Sequence, residues 1–90
     1  MVRVELVPEL SHCIETVAKN EYRETMAKLL AAGESDENLQ QKLELLRIFL
    51  ETTDFRRLRR ESERHLTEGR RVKFVVYVQE GSVKYDQQVV

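Results

Sequence analysis

Residues 72–90 read VKFVVYVQEGSVKYDQQVV. Only one pairing of this stretch separates apolar from polar side chains. A tight two-residue turn at Glu80-Gly81 puts Val78 opposite Val83, Val76 opposite Tyr85, Phe74 opposite Gln87 and Val72 opposite Val89. One face is then almost wholly apolar. The other carries Lys73, Val75, Tyr77, Lys84, Asp86 and Gln88. A slip of one residue sends every side chain to the wrong face, so the pattern itself selects the register. Gly81 supplies the positive φ that such a turn needs, although Glu80 is a less usual partner than Asn or Asp. A two-stranded hairpin is not stable alone, so its apolar face needs a cover from the rest of the chain.

Three helical segments can provide it. Val2, Val4 and Leu6 alternate with Arg3, Glu5 and Val7, which predicts a short first strand. Pro8 ends that strand and suits the first position of a helix over about 8–32. In that helix Leu10, Cys13, Ile14 and Val17 share one face. Tyr22, Thr25, Met26 and Leu29 share another, so the helix either buries different faces at its two ends or breaks near Asn20. Ser35 is the expected N-cap of a second helix, about 36–51, whose stripe of Leu39, Leu43, Leu46 and Leu50 is widened by Leu45 and Phe49. Thr53 or Asp54 caps a third, about 54–68, which Gly69 ends. The order predicts a two-layer α+β domain, β-α-α-α-β-β, with three helices packed on one face of a small sheet and a C-terminal β-hairpin. The first strand fits either edge of that hairpin.

Ninety residues form a single domain spanning 1–90. A chain of this size buries roughly 60% of its unfolded surface, which leaves little room for a deep cleft beside a full core. Association with another copy or a protein partner would enlarge the buried area. The lone Cys13 argues against a disulfide-stapled secreted domain. The first ten residues hold no apolar run of signal-peptide length, and no stretch approaches the ~20 apolar residues of a membrane span. The expectation is a cytoplasmic protein with no membrane partner.

The net charge of −1 conceals a local excess. Residues 54–74 carry eight basic and four acidic groups, against six basic and ten acidic in residues 1–53. Arg56, Arg57, Arg60 and Arg64 face away from Phe55 and Leu58 on the third helix. Arg57–Glu61, Arg59–Glu63 and Arg64–Glu68 are spaced for ion pairs, so a solvated charged face is the plain explanation. Yet several arginines fall in the first turns of a helix, where its dipole favours acids. Arg70, Arg71 and Lys73 extend the basic run toward the sheet. With Tyr77 as a stacking platform, these residues make a candidate nucleic-acid surface.

The second candidate surface is the hairpin. Val75 and Tyr77 have no cover on the open sheet face, and Val90 lies on that face too. Tyr85 is expected mostly in the core. A last strand without proline and with few charges is an exposed edge, which a second copy or a partner strand would protect. Catalytic and metal chemistry find little support. His12 and Cys13 are adjacent on a helix and diverge by about 100°. His65 has only Glu61 one turn away, whereas a metal needs three or four converging ligands. No phosphate-cradling glycine loop or nucleophile elbow occurs. The expectation is a non-enzymatic module without cofactor or metal, self-associating or bound to a protein through the hairpin, with nucleic-acid binding as the alternative.

Overall fold

A computed structural model describes residues 2–8, 14–33 and 35–90. It contains β1 (Val4–Leu6), α1 (Ile14–Ala31), α2 (Glu37–Thr52), α3 (Phe55–Thr67), β2 (Val72–Gln79) and β3 (Ser82–Val89). The protein is an α+β fold with the expected order β-α-α-α-β-β. Its three strands form one antiparallel sheet in the order β1-β2-β3.

The hairpin has the register that its side-chain alternation predicts, from Gln79 opposite Ser82 to Val72 opposite Val89. Both turn residues take positive φ, 53° at Glu80 and 77° at Gly81. That geometry matches the twist of the two strands. Val4, Glu5 and Leu6 pair with Val76, Val75 and Phe74. The first strand thus occupies the β2 side, the choice left open by the sequence.

One side of the sheet is covered. Val4, Leu6, Val72, Phe74 and Val76 meet Ile14, Ala18, Leu45, Leu46, Phe49 and Leu58 in a single core. Phe49 is central to it. Its ring lies edge-on to Phe55, with centroids 5.5 Å apart, and to Tyr85 at 6.0 Å. Truncating Phe49 to alanine should cost about 3–5 kcal/mol in denaturant unfolding, a large share of the stability of so small a domain.

α1 runs unbroken past Asn20 within Ile14–Ala31, which decides between the two alternatives the sequence left open. Ile14, Ala18, Thr25 and Leu29 are buried, and Tyr22 packs against the core. Ala18 is the joint between the two apparent faces: the seven-residue steps from Ala18 to Thr25 and from Tyr22 to Leu29 keep them on one slowly drifting stripe. Thr25 is tolerated there because its hydroxyl donates to the Glu21 carbonyl at 2.7 Å. Glu21 is half-buried and paired with Lys42 of α2. Pro8 is buried, and the helix start expected there lies outside the described residues. The readings of Leu10, His12 and Cys13 lie outside the described residues.

α2 is capped by Asp36 rather than Ser35. The Asp36 carboxylate accepts from the Leu39 N–H at 3.2 Å, while Ser35 donates to the Ala32 carbonyl that closes α1. At its other end Thr53 closes α2, and Asp54 begins α3 by accepting from the N–H groups of Arg56 and Arg57. The two helices are therefore separate, and α3 has a true N-terminus. α3 ends at Gly69, whose φ of 77° permits the bond from Arg70 N–H back to the His65 carbonyl. That six-residue closure turns the chain into β2.

Candidate interaction edge and basic surface

Because β1 lies against β2, strand β3 has a neighbour on one side only among the described residues. The hydrogen bond from Val90 N–H to the Arg71 carbonyl, 2.8 Å, sets the phase of the ladder. Even-numbered residues of β3 turn their backbone groups toward β2. Val83, Tyr85, Gln87 and Val89 turn theirs outward. Their side chains point to the helix-covered face, whereas Lys84, Asp86 and Gln88 project from the open face.

The usual protections of an edge are missing from β3. It has no proline and no bulge, and its two charges, Lys84 and Asp86, stand on the open face rather than blocking the edge. Val83, Tyr85 and Gln87 are half-buried, and Val89 is 51% exposed. The Gln87 amide nitrogen is buried with no hydrogen-bond partner. An unmet donor of that kind costs about 1–3 kcal/mol unless something supplies an acceptor. Beside the strand lies a groove of about 720 Å³, walled by Thr52, Thr53, Asp54 and Arg57 at the α2–α3 junction and by Val83, Lys84 and Tyr85 of β3.

Tyr85 bridges core and edge. It packs against Phe49 and Phe74 yet remains half-buried, less enclosed than the core position expected of it. Burial, and then the nearby Glu61 carboxylate, raise its phenol above the ordinary tyrosine range.

The open sheet face differs from the sequence expectation at Val75, which is only 7% exposed although no helix covers that side. Lys73 reaches Glu5 at 3.5 Å, and the Tyr77 hydroxyl donates to Asp86 at 3.1 Å. Val75 lines a shallow, mostly polar pocket with these residues and Arg3. Val75 therefore offers no apolar patch. The bond to Asp86 raises the Tyr77 phenol above its ordinary value. Val90 is 71% exposed.

The basic residues divide into two groups. Arg56, Arg57, Arg60 and Arg64 are exposed on α3. Arg57 pairs with Glu61 at 3.2 Å, and Arg64 and Arg70 both approach Glu68. Arg59 and Glu63 do not pair. Arg56, Arg60 and Arg71 carry no acidic partner among the described residues. Lys73 and Tyr77 belong to the opposite side of the sheet from the helices, so the fold does not bring Tyr77 to the arginines of α3. Glu61 is engaged by Arg57, and the buried Nδ1 of His65 has no partner, so the i,i+4 spacing of Glu61 and His65 makes no bond.

No cluster of three or more His, Cys, Asp or Glu side chains that could hold a metal occurs among the described residues. No described helix is long and apolar enough to cross a membrane. Lys84, Asp86 and Gln87, which the sequence marks only as members of the two hairpin faces, also stand along the β3 edge. Gln87 was visible as the one polar residue in an otherwise apolar column, and Lys84 and Asp86 as opposite charges flanking Tyr85.

Comparison with known proteins adds kinship without an activity. No curated protein and no solved structure matches the chain. A protein-family model matches residues 2–90, and the chain belongs to that family.

Proposed function

We propose that this domain is a non-catalytic interaction module that self-associates through the outer edge of β3. One observation carries the reading: β1 occupies the β2 side, leaving an eight-residue strand open and unguarded. Edge pairing across a two-fold axis would satisfy the outward N–H and C=O groups of Val83, Tyr85, Gln87 and Val89. It would also cover Val89 and the rim of the core at Tyr85.

The test is sedimentation velocity over a concentration series, with Gln87→Pro as the disrupting variant. Proline there removes an outward N–H and no bond to β2, so an edge position tolerates it. The variant should keep its circular dichroism spectrum and sediment as a monomer at concentrations where the parent dimerises. Tyr77→Lys, on the central strand, distinguishes the surfaces: loss of the dimer in this variant alone would move the contact to the open sheet face.

A second reading rests on Arg56 and Arg60. They lack acidic partners and lie in the first turns of a helix with a true N-terminus, a placement that helix stability disfavours. Such a conflict suits a surface that meets phosphates. On this reading a mixed-sequence RNA or DNA binds the face formed by Arg56, Arg57, Arg60 and Arg64, extended by Arg70 and Arg71. Fluorescence anisotropy should then show affinity falling with salt, by a slope of roughly 0.9 per phosphate neutralised on a duplex. Arg56/Arg60/Arg64→Glu should abolish binding.

A further inference from the structure

We infer that the partner of β3 is a second copy of the same strand, running antiparallel with Tyr85 opposite Tyr85, and that Lys84 and Asp86 select this register. The inference rests on the proposed self-association and adds its geometry.

The outward backbone groups belong to odd-numbered residues, so a two-fold pairing must place odd residues opposite odd ones. Two registers place seven residues of Ser82–Val89 from each copy in the ladder. One centres on Tyr85 and the other on Asp86. Both satisfy the backbone equally, and the choice falls to the side chains.

Centring on Asp86 puts two carboxylates directly opposite each other on the open face. Centring on Tyr85 puts Lys84 opposite Asp86 of the second copy, and the symmetry axis makes the same pair again. These are positions without mutual backbone bonds, where facing side chains approach most closely. Opposite charges there attract and like charges repel. Shifting the centre the other way, to Lys84, sets lysine against lysine and shortens the ladder to five residues of each strand.

The helix side of the edge agrees with this choice. A central Tyr85 pair sits beside the groove between Tyr85 and the α2–α3 junction, where the rim of the aromatic core is open.

The test uses two variants, Lys84→Glu and Asp86→Lys, separately and mixed, with dissociation constants from sedimentation. Both side chains are exposed, so the fold should persist in each. Either variant alone places like charges opposite one another twice, and its homodimer should weaken about tenfold or more. Mixed together, the acidic and basic variants restore both opposite pairs and should form a heterodimer at least as tight as the parent. Tyr77→Phe, which removes only the bond to Asp86, should leave the parent constant unchanged.

Recovery in the mixture supports the register. Homodimers unaffected by either change, or a mixture no tighter than its components, overturn it while self-association stands. A tighter dimer in Asp86→Asn would identify the Asp86-centred register instead. A parent chain that is monomeric at every concentration removes both the register and the proposed function.

Discussion

Single residues carry two features at odds with their local setting. Glu80 holds a left-handed conformation, φ 53°, that costs a residue with a Cβ roughly 1–2 kcal/mol. Asn relieves much of this because its side chain tolerates that region. Glu80→Asn should therefore raise unfolding stability by about 0.5–1 kcal/mol in urea titration without altering the register. Tyr85 is the other. Its phenol is raised by burial and by Glu61, with Arg57 opposing and Asp54 adding slightly. The unfolded chain releases this proton first, near pH ~10. The contribution of the neutral phenol is thus complete below about pH 10 and is lost as pH rises through the folded value. Urea stability should fall above pH ~10, and Tyr85→Phe should remove that part of the fall.

At the level of elements, the helix ends show how local chemistry sets the path of the chain. Asp54 accepts from two backbone N–H groups at the start of α3 and places a negative charge where Arg56 and Arg57 crowd the positive pole. Asp54→Ala should cost about 1 kcal/mol, read by thermal or urea unfolding. Asp36→Ala should cost about the same at α2, and Ser35→Ala less, since Ser35 caps no helix start. The hairpin was legible in detail because a period of two allows one register and the other faces fail. The helices were legible as elements, but the sequence left open whether α1 is continuous, because alanine gives no strong apolar signal and Ala18 joins its two halves. Ser35 and Asp36 are both good capping residues, and only the bond to Leu39 N–H decides between them. The edge chosen by β1 was not legible at all: three residues with alternating polarity fit either side equally well. The candidate site suffered most from this, since which strand remains open follows from that choice. Alternation places Val75 on the open face but does not reveal that it is buried there among Lys73, Glu5 and Tyr77.

For the whole molecule, the fold is a helix layer on a three-stranded sheet with its charges unevenly placed. Its radius of gyration, 13.5 Å, exceeds the roughly 12 Å of a compact chain of this length. Two copies joined at β3 would form a continuous six-stranded antiparallel sheet with all helices on one side. They would leave the short β1 strands, three residues each, as the outer edges, a length that resists further pairing. Arg57 walls the groove beside β3, whereas Arg56, Arg60 and Arg64 do not line it, so self-association and phosphate binding through those three are compatible, and a dimer would present two basic faces. Its nucleic-acid affinity, if carried by those faces, should rise with dimerisation and fall when Gln87→Pro separates the copies.

The most direct test of the account is sedimentation velocity of the parent chain from low to high concentration at moderate salt. The account predicts a shift from the 10.7 kDa monomer to a species of twice that mass, with Gln87→Pro remaining at the monomer. A single 10.7 kDa species across the whole series would contradict it and leave the open edge of β3 without a partner in a second copy.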